Sequence, residues 1–143
     1  MAKSHLVILK KPYLEAILSG RKTIESRFTK TKCPPFGQIE VGDRLFLKLS
    51  SGPVCGTAAV AKVKSFTDLT PTKIFELKKR FNHAICGSDQ IWQNKLVCRY
   101  GLLIWLKEVG PVEPRRIDKK DWRAWVVLTS QEHFGLLKAE MPR

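Results

Sequence analysis

The chain has 143 residues, about the length of one domain, and 43% of them are hydrophobic, which excludes a disordered protein. Its 26 lysines and arginines outnumber 13 acidic residues and give a formal net charge of +13. No apolar run approaches the ~20 residues that span a bilayer, which argues against a membrane protein. We therefore expect one monomeric domain over residues 1–143, located in the cytoplasm, or in the nucleus if the organism is a eukaryote.

The first predicted elements are a strand, a helix and a second strand. Residues 5–9 (HLVIL) are continuously apolar, which predicts a buried strand, and they are too few for the apolar region of a signal peptide. Pro12 suits the first turn of a helix, and Gly20 suits its left-handed cap. Beyond the cap, apolar and polar residues alternate, so Glu25 and Arg27 are predicted to share one face of a strand.

The rest of the chain predicts a curved sheet and more helices. Further strands are predicted at the remaining strongly apolar segments, which are residues 43–50, 54–66, 100–109 and 122–128. Thr70 and Ser88 suit the N-caps of two helices, and Ser130 suits that of a short third one. GPVEP at 110–114 is the one candidate for a loose linker and is too short to separate domains. This mixture predicts an α+β fold with a small curved or barrel-like sheet.

One motif connects this pattern with a known family. Gly20, Lys22, Glu25 and Arg27 match the spacing G-x-K-x-x-E-x-R. In this context of strands and helices, the stretch resembles the signature of the ASCH family, a branch of the PUA-like superfamily. The resemblance covers about residues 6–128 and implies a small PUA-like β-barrel flanked by helices. It also implies a cleft beside the signature that takes RNA, another single-stranded nucleic acid or a nucleotide.

The charge favours the same class of partner, because a protein that neutralises phosphates releases condensed counterions. We predict that a nucleic acid, a nucleotide or a modified base binds in a basic cleft. Glu25 would accept a hydrogen bond from a base or a sugar, and Arg27 would fork onto a phosphate. The candidate ligand-binding residues are Lys10, Lys22, Glu25, Arg27, Lys48, Arg123 and Trp125.

Purely structural roles are open for the same residues. Glu25 and Arg27 can form an ion pair along one strand, and Lys22 can interact with the C-terminus of a helix. Trp125 can be buried at the start of the last strand or, beside Arg123, can stack on a nucleobase. Because Lys22 precedes the regular strand and fills no apolar position, we expect Lys22→Ala to leave the fold intact.

Two other classes of function are open. The cleft can belong to a hydrolase with Lys22 and Glu25 as catalytic residues, either a metal-independent ribonuclease or an N4-acetylcytidine amidohydrolase. Relatives with the second activity carry threonine at the position of Glu25, and Thr23 lies two residues away on the same face. The chain can also be a protein-interaction or coactivator module whose charge serves only solubility. The four cysteines form no CxxC pair, and we predict neither a metal nor another cofactor.

Overall fold

The computed structural model describes residues 2–117 and 123–128. Its strands are β1 (Ser4–Leu9), β2 (Ile24–Thr29), β3 (Arg44–Leu49), β4 (Val54–Phe66), β5 (Tyr100–Arg115) and β6 (Trp125–Leu128). Its helices are α1 (Lys11–Leu18), α2 (Pro71–Ile85) and α3 (Asp89–Lys95). This order of elements confirms the predicted α+β class. Within the described residues, no helix is long and apolar enough to cross a membrane.

The six strands form one sheet in the order β2-β5-β4-β3-β1-β6. β1 runs parallel to β3, and the other neighbouring pairs are antiparallel. The register between β4 and β5 shifts at three points along this long pair. Such bulges bend and twist a sheet, and this sheet curls into a half-barrel. The predicted barrel-like architecture is therefore confirmed, with β2 and β6 as its two edge strands.

The segment 110–114, the candidate linker, belongs to the sheet. Gly110 pairs with Thr57 and Pro111 pairs with Gly56, both within the β4–β5 ladder. A proline cannot donate to a ladder, but Pro111 lies where the register shifts and the regular pattern is already interrupted. The sequence prediction missed this because proline and glycine also signal loops. The helix predicted to begin at Ser130 lies outside the described residues.

The predicted helix ends agree with the structure. The side chains of Thr70 and Ser88 accept hydrogen bonds from backbone N–H groups in the first turns of α2 and α3, both at 3.2 Å. Pro12 lies in the first turn of α1. Gly20 has a φ of 86°, the left-handed conformation expected of it after this helix. The turn at Gly20 carries the chain from α1 into the signature strand β2.

The core has apolar clusters on both faces of the sheet. Leu102 and Ile104 of β5 belong to the cluster that includes α1, whereas Leu103 between them belongs to the cluster that includes α2 and α3. β5 is therefore buried on both sides. A third cluster contains Phe46, which is 3% exposed, so this face of β3 is covered rather than open to solvent. The signature strand β2 lies beside β5, which fixes it to the core.

Candidate nucleic-acid interface

A cavity of about 650 Å³ lies between the signature strand, the β1–α1 connection and α3. This volume falls within the range of ligand sites in proteins, about 300–1,000 Å³. We call it the main cleft. Its basic lining residues are Lys10, Lys22, Arg27, Lys48, Lys95 and Arg123, and the one acidic residue among those lining it is Glu25. The structure thus brings together every predicted ligand-binding residue except Trp125.

Lys22, Glu25 and Arg27 form an ion network, which we call the signature network, in which Lys22 and Glu25 are buried and Arg27 is partly buried. One carboxylate oxygen of Glu25, Oε2, lies 2.9 Å from Nε and 2.7 Å from Nη2 of Arg27. The other, Oε1, lies 3.3 Å from Nζ of Lys22. Glu25 is 5% exposed and Lys22 is 3% exposed. Two cations thus share one carboxylate, and the network has a net charge of +1.

Lys22 also holds together two elements that are distant in sequence. Its ammonium donates to the carbonyl of Ile85, the last residue of α2, at 2.6 Å and to the carbonyl of Ile24 at 3.0 Å. The final carbonyls of a helix have no partner within the helix and attract a cation. The helix C-terminus that Lys22 satisfies is therefore that of α2, across the fold, rather than that of α1. We accordingly revise the expectation that Lys22→Ala leaves the fold intact, because it would leave these buried groups without their donor.

Arg27 connects the signature strand to the opposite side of the curled sheet. Its Nη2 lies 3.2 Å from the carbonyl of Ile8 in β1, and its Cζ lies 5.1 Å from the ring centre of Trp125 in β6. β2 is at one edge of the sheet, whereas β1 and β6 are at the other end of the strand order. A side chain thus bridges strands between which no backbone ladder forms. This bridge places the guanidinium in the wall of the main cleft.

The charges around Glu25 determine its protonation. Burial alone would raise the pKa of Glu25, but the positive charges of Arg27 and Lys22 and their hydrogen bonds hold that pKa below its ordinary value. Glu25 is therefore an ionised hydrogen-bond acceptor at neutral pH. A carboxylate stabilised in this way is a weak base.

Lys95 is a site residue that the sequence reasoning missed. It lies at the end of α3, with Nζ 4.5 Å from the ring centre of Phe28 and 5.9 Å from that of Trp92. Burial lowers the pKa of Lys95 to about 8, against the opposing attraction of Glu25. Lys95 lies four residues after Ile91, which also lines the cleft, so the two share one face of α3. This helical spacing is the sequence signal that could have identified Lys95.

The other cations of the main cleft come from three separate elements. Lys10 is exposed at the N-cap position of α1 and has no side-chain capping bond. Lys48 of β3 is buried and donates to the carbonyl of Leu49 at 3.1 Å. Arg123 is exposed just before β6. Residues far apart in sequence therefore present positive charge to one cavity.

The structure assigns Trp125 a buried position. It is 3% exposed, and its indole N–H donates to Nδ1 of His5 at 3.0 Å. Nε2 of His5 lies 2.8 Å from Oδ2 of Asp43, and neither of these two side chains is exposed. We call these three residues the core network. A ring so enclosed offers little face to a base in the main cleft, so the structural role left open for Trp125 fits the structure better than stacking there.

The fold and the site define a class: a small α+β domain with a curled sheet and a basic cleft beside a buried ion network. The model of the ASCH domain family matches residues 7–134. This chain belongs to the ASCH domain family. A search of curated proteins gives no significant match.

Solved structures show the same fold. The crystal structure of ASCH from Zymomonas mobilis is similar with a TM-score of 0.73 at 17% sequence identity, covering 95% of this chain and 94% of that chain. A mutant of the same Zymomonas mobilis protein gives a TM-score of 0.72 at 18% identity, covering 96% of both chains. At this low identity, the likeness establishes the fold alone.

Proposed function

We propose that this protein binds single-stranded nucleic acid, RNA above all, in the main cleft. The observation that supports this is the charge around the cavity, where six basic side chains accompany one acidic residue that is already paired. Such a site attracts phosphates, and the net charge of +13 adds long-range attraction. Membership of the ASCH family is consistent with a nucleic-acid-related function without specifying it.

The signature network would contribute to base or sugar recognition. Each oxygen of a carboxylate offers two lone pairs, so Oε1 of Glu25 can accept from a base amino group or a sugar hydroxyl as well as from Lys22. The guanidinium of Arg27 has five N–H groups, and its contacts to Glu25 and Ile8 use only the Nε and Nη2 donors. The remaining donors suit a phosphate oxygen. Because the network is held by buried contacts, these groups are oriented before a ligand arrives.

The geometry gives less support to a hydrolase that uses Lys22 and Glu25. The ammonium of Lys22 is occupied by two carbonyls and a carboxylate, and the lowered pKa of Glu25 makes it a poor base. Thr23, which would have to replace the threonine of the amidohydrolase relatives, is exposed and is not among the residues that line the main cleft. Binding therefore accounts for the arrangement better than proton transfer by these groups.

A salt titration with labelled single-stranded RNA tests the proposal. The association constant is measured by fluorescence anisotropy. Its logarithm should fall linearly with the logarithm of the salt concentration, with a slope of roughly −3 if about four cations contact phosphates. The double variant Lys10→Gln/Arg123→Gln should flatten this slope by about 1.4, for two lost contacts. The matched control is Lys79→Gln/Arg80→Gln, which removes two exposed charges from α2, away from the cleft.

Equal effects of the two double variants would mean that the attraction is diffuse and the cleft is not the site. No binding at low salt would favour the protein-interaction module. The same samples, with EDTA present, should be checked for RNA cleavage and for deacetylation of N4-acetylcytidine. Robust turnover that survives EDTA would replace binding with the hydrolase function.

A further inference from the structure

A second cavity of about 230 Å³ adjoins the main cleft, and we call it the side pocket. Its walls are mainly apolar, from Pro34, Pro35, Phe36, Leu102 and Trp125. The two cavities share Arg27, Arg123 and Ala124 as lining residues. They are therefore neighbours separated by a boundary that carries two guanidinium groups.

The side pocket is too small for a complete ligand of its own. Sites for small molecules measure about 300–1,000 Å³, and this pocket is below that range. It has room for one flat ring, and its proline, phenylalanine and leucine side chains suit the face of such a ring. The apolar interior does not suit a phosphate, whereas the arginines at its boundary do.

Two further details of the boundary support a ring beside a phosphate. The guanidinium of Arg27 lies 5.1 Å from the ring centre of Trp125, which holds it at the junction of the two cavities. Nζ of Lys32 lies 5.7 Å from the ring centre of Phe36, a residue of the pocket wall. Positive charge therefore lies at the boundary with the main cleft and also close to one aromatic residue of the wall, as suits a charged backbone that carries a base.

We propose that the side pocket receives the nucleobase next to the one in the main cleft, with the phosphate between them held by Arg27 and Arg123. The smallest complete ligand is then a dinucleotide. This inference rests on the proposed function, since it names the second unit of the same bound strand. An apolar side chain of a protein partner would fit a similar volume, but it would bring no phosphate to the two guanidinium groups at the boundary.

The first measurement compares 5′-phosphorylated mono-, di- and trinucleotides of adenine and of uracil by isothermal titration calorimetry. The dinucleotides should bind at least about fivefold more tightly than the mononucleotides, because a stacked base contributes about 1–3 kcal/mol. The third nucleotide should add much less. Dinucleotides that bind no better than mononucleotides would overturn the inference and leave the proposed function standing. If no nucleotide of either series binds, both this inference and the proposed function are wrong.

The second measurement blocks the side pocket alone. Cys33 lines this pocket and is the exposed cysteine of the four. Alkylation with N-ethylmaleimide should reduce dinucleotide affinity to that of the mononucleotide and leave mononucleotide affinity unchanged. The matched control is the Cys33→Ser variant, whose dinucleotide affinity should be the same before and after treatment with the reagent. Equal dinucleotide affinity before and after alkylation of Cys33 would overturn the inference.

Discussion

The signature network and the core network are both buried and both contain one carboxylate, yet they differ in charge and surroundings. In the signature network, the basic side chains of Lys22 and Arg27 contact Glu25, and all three side chains line the main cleft. In the core network, Asp43 is paired with His5 and also accepts hydrogen bonds from the backbone N–H groups of Lys3 and Glu40.

The hydrogen bonds of the core network define the state of His5. An indole N–H can only donate, so the bond from Trp125 makes Nδ1 of His5 the acceptor and leaves the proton on Nε2, facing Asp43. Burial lowers the pKa of His5, against the opposing effect of Asp43, which agrees with a neutral ring. This network is neutral apart from one carboxylate, and its polar atoms are satisfied inside the protein.

The difference is the kind that we expect between a binding site and a purely structural network. A network that only stabilises the fold satisfies its polar atoms within the protein, as the core network does. The signature network has an excess positive charge and faces a cavity. Such an excess of charge beside a cavity is the kind of feature expected at functional sites.

The largest effect should come from Glu25→Gln. This change keeps the shape of the side chain but leaves the buried Lys22 and the half-buried Arg27 without a carboxylate. We expect a loss of about 3–5 kcal/mol in the free energy of unfolding, measured by urea denaturation. The control is Glu40→Gln, whose side chain is 67% exposed beside Lys3 and should contribute less than about 1 kcal/mol. Similar denaturation midpoints for the two variants would mean that the signature network is not essential to stability.

A smaller loss of folding stability should occur as the pH is lowered, and it should come from the core network. The folded-state pKa of His5 is below its ordinary 6.5, so the unfolded chain binds the proton first and stability falls as the pH drops below about 6.5. The lowered pKa values of Asp43 and Glu25 affect stability in a separate pH window, below about 4.5. Thermal melts between pH 7 and pH 5 therefore measure the contribution of His5 to stability separately from those of the two carboxylates.

The control for this window is a pair of histidine variants. His5→Gln should lower stability at pH 7 but remove its dependence on pH between 7 and 5, because the titrating group is gone. His83→Gln changes an exposed histidine and should retain the wild-type slope. A slope that persists in His5→Gln would show that another group is responsible.

The affinity for RNA should instead depend on pH on the alkaline side of neutrality, because Lys95 titrates there. With a pKa of about 8, this lysine loses its positive charge between pH 7 and pH 9, so we expect affinity for single-stranded RNA to fall a few-fold over that range. Lys95→Met should bind more weakly at pH 7 and show little further change at pH 9. Lys79→Met, on the exposed part of α2, should behave like the wild type. Parallel pH profiles of affinity for Lys95→Met and the wild type would mean that Lys95 does not contribute to RNA binding.

The smallest effect should distinguish two adjacent lysines. Lys10 lines the main cleft, whereas its neighbour Lys11 is exposed and is not among the lining residues. Lys10→Ala should flatten the salt dependence of RNA binding by about 0.7, the contribution of one contact with a single strand. Lys11→Ala removes the same charge and should leave the slope unchanged. Identical slopes would mean that the binding depends on net charge rather than on the cleft.

The sequence by itself determined the class of fold, the caps and the chemistry of the signature. Those features depend on local rules: Thr70 and Ser88 cap the helices that follow them, and Gly20 adopts the left-handed conformation after α1. Alternation along β2 correctly predicted that Glu25 and Arg27 face the same side, because side-chain direction in a strand follows the backbone alone.

Only the tertiary structure decided what those side chains contact. The partner of Lys22 is the carbonyl of Ile85, 63 residues later in the chain, and Arg27 reaches Ile8 only because the sheet curls. The charge of Lys95 depends on its burial against Phe28 and on its distance from the signature network. These contacts join elements far apart in sequence, and desolvation and Coulomb energies depend on distance in space, so no local pattern of residues can predict them.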